Sequence, residues 1–188
     1  EVRRPQLRLP GRYGKLLAWA TGIAAVLGPW ARRHDPGLTD EQVLVAYSEH
    51  EAAVEAEQPG SRYPEVLREA FRRTGAALGL PVSDAEADAF GTSVPDWPAF
   101  ADSTEALQRL KARYRLIILS NVDRESFAGS NRRLGVEFDE IAMKSDPVTF
   151  STLSAIVSSS EPVEAKPSLR STSTSAVASA NEIVSLPD

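Results

Sequence analysis

Arg115-Leu116-Ile117-Ile118-Leu119-Ser120 is the stretch of sequence that decides the fold. It contains four consecutive large aliphatic residues, with a charge on one side and a Ser-Asn pair on the other. Such a run is typical of a strand buried on both faces, as strands of parallel sheets are. We therefore predict a strand here, inside a sheet.

The flanks of this strand predict a helix–strand–helix–strand order. Asp102 and Glu105 open a helix that leads directly into the strand. Another helix is predicted from about Arg124 to Leu134, followed by a short strand candidate at Phe138 to Met143. This alternation indicates an α/β layer.

The chain before residue 95 is predicted to be helical. The first helix is expected from about Lys15 to His34, although Gly22, Gly28 and Pro29 disfavour its second half. A capping-box pattern at Thr39 and Gln42 predicts the start of a second helix. A third is predicted from Pro64 to Leu78, where Gly79 ends it. A second capping box, at Ser83 and Glu86, starts a fourth helix that runs to Phe90. A weak strand candidate precedes them at Gln6 to Leu9.

The end of the chain has a different character from Ser145 onward. Serine and threonine dominate, and neither a helical nor a strand period persists. Low hydrophobicity without periodicity predicts a largely disordered tail, with at most a weak helix in Ala176 to Val184.

Composition excludes several classes of function. The chain has no cysteine, which rules out disulfides, thiolate metal sites and cysteine nucleophiles. Its two histidines, His34 and His50, are too few for a histidine-based zinc site, and we expect them at the surface or at helix ends. A net charge of -5 without a basic stretch argues against nucleic-acid binding.

The apolar run from Leu16 to Trp30 is shorter than the roughly 20 residues that a membrane-spanning helix needs. It also lacks the pattern of a signal peptide. We therefore expect a cytoplasmic protein with no membrane partner.

Two stretches resemble the haloacid dehalogenase superfamily, on its 2-haloacid dehalogenase (type II) branch. The longer runs from Asp96 to Ile141 and contains Ser120-Asn121, which matches the family's second motif. The shorter is Arg12 to Trp19, reading RYGKLLAW, where the family has Phe-Asp-x-Tyr-Gly-Thr-Leu and then a tryptophan. Together they cover about residues 10 to 142.

The resemblance implies an α/β fold with a truncated, Rossmann-like core and a helical cap inserted after the first motif. The core would comprise residues 1–19 and 96–145, and the cap residues 20–95. Residues 146–188 would form the Ser/Thr-rich tail.

The resemblance also implies a function, hydrolytic dehalogenation through an aspartyl ester. Ser120, Asn121 and Tyr13 would bind a small anionic substrate, such as a 2-haloacid. The family's phosphatases have a second aspartate at the position of Tyr13, so the tyrosine favours the dehalogenases. Halide departs as a stable anion, and the reaction needs no metal or other cofactor.

Several motif positions depart from the family pattern. Gly11 stands at the position of the nucleophilic aspartate and has no side chain to attack with, while Lys15 replaces the family's threonine. Lys144 lies near the spacing of the third-motif lysine, but it and the later Lys166 are also typical of solvated surface lysines. The fourth motif, an acidic pair after a further buried strand, has no counterpart. We expect the chain to be inactive as written.

Three interpretations remain open from the sequence, together with the oligomeric state. The chain is a dehalogenase-like hydrolase with impaired catalysis, a non-catalytic anion-binding or interaction protein, or a truncated or mis-assembled gene product. Asp123 is either a helix cap or a substitute nucleophile. Trp19 and Trp97 either pack in the core or line a substrate pocket.

Overall fold

A computed structural model describes residues 16–143, the single residues 146 and 151, and residues 181–184. Its elements, in chain order, are α1 (Trp19–His34), α2 (Asp40–Glu57), α3 (Tyr63–Leu78), α4 (Asp84–Gly91), a short 3-10 helix (Val94–Asp96), α5 (Ser103–Lys111), β1 (Ile117–Ser120), α6 (Arg124–Leu134), β2 (Glu140–Met143) and β3 (Asn181–Val184). The predicted strand at Gln6 to Leu9 lies outside the described residues.

The helix boundaries that the sequence marked are confirmed. The side chains of Thr39 and Ser83 each accept a hydrogen bond from the N–H of the third residue of their helix. The side chains of those third residues, Gln42 and Glu86, accept one from the backbone N–H of the cap, so both capping boxes form. Gly79 ends α3 in the left-handed region with a φ of 69°, which glycine adopts without strain. Local capping chemistry therefore defines α2, α3 and α4.

Helix α1 continues through the glycines and the proline that disfavoured its second half. It begins at Trp19 and ends at His34, with Pro29 inside the helix. Leu27, Trp30 and Ala31 are buried beside that proline, at 0–2% exposure. Burial of this apolar face outweighs the local preference of Pro29 against helix.

Strand β1 is the centre of a three-stranded sheet with the order β2-β1-β3. Strand β2 pairs with it in parallel, with Ile118 opposite Ile141, and α6 makes the crossover. All four residues of β1 are buried, as the sequence predicts for an interior strand. The architecture is the predicted α/β class, with a small sheet and a largely helical remainder.

Strand β3 lies within Ala176 to Val184, where the sequence predicted at most a weak helix. Residues 181–184 are neither helical nor unstructured, but pair antiparallel with β1. Strand β1 therefore has a hydrogen-bonded neighbour on each side. The rest of the predicted disordered tail, apart from residues 146 and 151, lies outside the described residues.

One hydrophobic core links the helices to the sheet. Among the helices it contains edge-to-face ring pairs, with Phe71 lying 4.8 Å from Trp30 and 5.4 Å from Phe90. The residues just before α1 are hydrogen-bonded to the segment around the start of α5. Ala18 N–H donates to the carbonyl of Pro98 at 2.8 Å, and Ser103 Oγ donates to the carbonyl of Leu16 at 2.9 Å. Within the described ranges, no helix combines the length and apolar character needed to cross a membrane.

Candidate functional site at the carboxyl end of β1

The two second-motif residues are Ser120, which is the last residue of β1, and Asn121, which directly follows the strand. Ser120 is 1% exposed, and its Oγ accepts a hydrogen bond from the N–H of Val122 at 3.2 Å. Asn121 follows at the point where the strand ends and is partly buried. Ligands of open α/β sheets bind at the carboxyl ends of the strands, which is where this pair lies.

Asp123 completes the turn as the N-cap of α6. Its Oδ1 accepts from the N–H of Ser126 at 3.1 Å, and its Oδ2 accepts from the Ser126 hydroxyl at 2.8 Å. The capping interpretation is confirmed. Both carboxylate oxygens are engaged with the helix, which argues against Asp123 as a substitute nucleophile.

The side-chain amide of Asn121 binds a carboxylate from α2. Its Nδ2 donates to Glu55 Oε1 at 2.6 Å, although the two residues are 66 positions apart in the chain. The Oδ1 of Asn121 is buried and meets no donor in the described part of the chain. The amide at the end of β1 is therefore arranged to hold an anionic oxygen on one side, with an unused acceptor on the other.

One turn before Glu55, Glu51 is buried in the protein. It is 1% exposed, and its Oε1 accepts a hydrogen bond from the hydroxyl of Tyr63 at the start of α3. Burial raises the pKa of Glu51 to about 7, and the charge of Glu55 adds to the rise while the Tyr63 hydrogen bond opposes it. Glu51 is thus a carboxyl group that changes its protonation near neutral pH.

Tyr47 lies one turn earlier on the same face of α2. Burial, and then the charge of Glu51, raise the pKa values of Tyr47 and Tyr63 well above the usual tyrosine value, so both stay neutral. The Tyr47 side chain is fully buried, and its hydroxyl lies beside the carboxyl group of Glu51. Tyr47, Glu51 and Glu55 therefore form one polar row, four residues apart, facing the interior.

The two tryptophans pack beside this row. Trp19 makes edge-to-face contacts with Tyr63 at 5.6 Å and with Trp97 at 4.8 Å between ring centroids. Trp97 is 2% exposed, and its Nε1 donates to Ser93 Oγ at 2.9 Å. Both tryptophans pack in the core, and Trp19 also contacts Tyr63, the residue that binds Glu51.

A small cavity adjoins Ser120 between β1, α6 and the residues before α1. It is largely apolar, with two serines, and is lined by Leu16, Leu17, Ile118, Ser120, Val122, Phe127, Ser130 and Leu134. Across the described ranges, no group of three or more histidine, aspartate or glutamate side chains is placed to hold a metal ion.

Of the site residues predicted from sequence, the structure describes Ser120 and Asn121. Gly11, Tyr13 and the lysine candidates Lys144 and Lys166 lie outside the described residues, so their roles remain predictions. Glu51 and Glu55 were not predicted as site residues from the sequence. A signal for them existed, because Glu51 follows Val43 and Tyr47 at intervals of four, on the apolar face of a helix.

The chain has the haloacid dehalogenase-like fold, and the solved structures similar to it include L-2-haloacid dehalogenases. One is the enzyme from Xanthobacter autotrophicus with chloropropionic acid covalently bound, which superposes with a TM-score of 0.58 at 18% identity over 79% of this chain and 63% of that one. A defluorinating L-2-haloacid dehalogenase gives 0.59 at 20% identity over 78% and 66%. A further L-2-haloacid dehalogenase gives 0.58 at 15% identity over 76% and 66%.

These likenesses establish the fold, and they are partial in length. The chain spans just under two thirds of each of these dehalogenases, 63–66% of their residues. No protein-family model matches the sequence, and neither does any curated protein.

Proposed function

We propose that the chain is a haloacid dehalogenase-like hydrolase whose Ser120-Asn121 turn binds the carboxylate of a small, 2-haloacid-like anion. We further propose that turnover is lost or greatly slowed, because Gly11 stands where the resemblance puts the nucleophilic aspartate. The observation that carries the binding proposal is the contact between Asn121 Nδ2 and a carboxylate oxygen of Glu55 at 2.6 Å. An amide that holds one carboxylate at this distance has the chemistry to hold another.

We propose that two parts of the chain build the site. Residues 1–19 and 96–145 are proposed as the core that carries the anion site, and residues 20–95 as a helical cap over it. Helices α2 and α3 contribute Glu55, Glu51 and Tyr63, so the proposed cap supplies the wall that faces Asn121. The Ser/Thr-rich remainder has no role in this proposal, and a cytoplasmic location stays a prediction.

The step that Gly11 cannot perform is the nucleophilic attack on the substrate. In hydrolytic dehalogenation a carboxylate attacks the carbon that bears the halogen, halide leaves, and water hydrolyses the resulting ester to a hydroxy acid. Glycine offers no atom for that attack. The alternative is a non-catalytic protein that uses the same turn only to bind anions, and restoring the carboxylate distinguishes the two.

Halide release from 2-chloropropionate tests the proposal directly. The unsubstituted chain at high concentration is expected to release no more halide than a heat-treated sample, and Gly11→Asp is expected to release more. Gly11→Asn is the matched control, because it has nearly the same shape as Asp without a nucleophilic carboxylate. Heat-sensitive release by the unsubstituted chain would show that another group replaces the aspartate. Binding of 2-chloropropionate without release by Gly11→Asp would favour the non-catalytic alternative.

A further inference from the structure

The contact between Glu55 and Asn121 joins α2 to the turn after β1. An amide N–H bound to an ionised carboxylate is a stronger hydrogen bond than one between neutral groups. Here the distance is 2.6 Å, and both side chains are partly buried. This contact fixes the Asn121 amide with its Nδ2 towards α2 and leaves its Oδ1 without a donor among the described residues.

The same amide is the group that the proposed function assigns to the ligand's carboxylate. A second carboxylate arriving at Nδ2 would meet the negative charge of Glu55 within a few ångströms, and like charges repel strongly in a partly desolvated site. Glu55 and an anionic ligand therefore exclude each other at Asn121.

We propose that Glu55 is an internal competitor for the anion site, which must leave the Asn121 amide before a small carboxylate ligand can bind there. The inference rests on the proposed function, in which Asn121 receives the ligand. Glu55 of α2, together with the turn that carries Asn121, would then set the affinity of the site for a small carboxylate.

The position of Glu55 makes its withdrawal feasible. It lies in the last turn of α2, which ends at Glu57, and an anion near a helix C-terminus is disfavoured by the helix dipole. Glu51 lies one turn earlier on the same face, so a second carboxyl group repels Glu55 whenever it is ionised. The side chain of Glu55 is half-buried, so one side of it is already in contact with solvent.

Calorimetric titration with 2-chloropropionate tests the competition. The proteins compared are the unsubstituted chain, Glu55→Gln and Glu55→Ala. Glu49→Gln serves as the control, since it removes the same charge from an exposed position of the same helix. Affinity is expected to rise about tenfold in Glu55→Ala and by a smaller factor in Glu55→Gln, because a glutamine oxygen still accepts from Asn121. Glu49→Gln is expected to bind as the unsubstituted chain does.

The outcomes separate this inference from the function on which it rests. Equal affinity in all four proteins overturns the competition but leaves anion binding intact. No binding by any of them, including Glu55→Ala, overturns both. Because glutamine has the shape of glutamate, Glu55→Gln is expected to keep the fold even if Glu55→Ala does not, and circular dichroism of each variant checks this.

Discussion

The hydroxyl of Tyr63 donates a hydrogen bond to the carboxyl group of Glu51, and both side chains are at most 2% exposed. A carboxyl group taken out of water resists ionisation, and one hydrogen bond compensates only part of the lost hydration. The pair therefore joins α2 to α3 through a group whose charge changes near neutral pH. This makes the stability of the helical part of the protein depend on pH.

Glu51→Gln is expected to remove that dependence. The pKa of Glu51 rises from 4.5 to about 7 on folding, so between these values the folded chain holds more protons than the unfolded one. The contribution of Glu51 is full below pH 4.5 and is lost as the pH rises through 7. The free energy of unfolding of Glu51→Gln, relative to the unsubstituted chain, should thus grow by about 3 kcal/mol between pH 4 and pH 8.

Urea denaturation at several pH values measures this difference. Glu49→Gln is the control, since it makes the same substitution at an exposed position of α2 and should give a difference that does not change with pH. If Glu51→Gln also shows a constant difference from pH 4 to pH 8, then Glu51 is not the buried acid that the structure shows.

Tyr63→Phe is expected to destabilise the protein more at high pH than at low pH. Removing the hydroxyl takes away the hydrogen bond that lowers the pKa of Glu51, so the pKa should move further above 7. A buried carboxylate without this donor costs about 1–3 kcal/mol, and a neutral carboxyl group costs less. Urea titrations at pH 5 and pH 8 test this, with Tyr114→Phe, at a half-buried position elsewhere, as control. An equal loss at both pH values would contradict the coupling.

The sequence predicted those parts of the fold that are encoded locally. The aliphatic run of β1, the capping boxes at Thr39 and Ser83 and the cap at Asp123 each depend on residues within one turn or strand, and all were found. Strand β3 was missed because its pairing joins residues more than 60 positions apart, and no local period marks it.

The same distinction explains which parts of the candidate site were found. Ser120 ends a strong strand and Asn121 follows it, so the position of both at its carboxyl end could be predicted. Glu51 and Glu55 belong to a helix in which charged residues are frequent, and a glutamate there usually faces water. The hydrogen bonds of Glu51 with Tyr63 and of Glu55 with Asn121 show that these two glutamates contact other parts of the protein.

Gly22→Ala is expected to destabilise the protein, although alanine favours helix. A Cβ at Gly22 would lie 2.7 Å from Cβ and Cδ2 of Trp97, whose ring is buried and cannot move aside. Overpacking of this kind costs about 1–3 kcal/mol. Gly60→Ala is the matched control, because nothing lies within 4 Å of its added Cβ, and it should be neutral or slightly stabilising. Thermal unfolding of the two variants decides the point, and a stable Gly22→Ala would mean that α1 is not packed against Trp97.

Asp123→Ala is expected to weaken α6 and, with it, the turn that carries Asn121. Alanine removes both hydrogen bonds to Ser126, and loss of such a cap costs about 1–2 kcal/mol. Asp123→Asn keeps one acceptor for the Ser126 N–H and should lose about half as much. Glu125→Ala is the control, because it removes an exposed acidic residue from the same first turn without breaking the cap, and should cost only a few tenths of a kcal/mol. Urea denaturation ranks the three variants. If Asp123→Ala were no less stable than Glu125→Ala, the carboxylate would not be engaged with the helix, and its exclusion as a nucleophile would no longer hold.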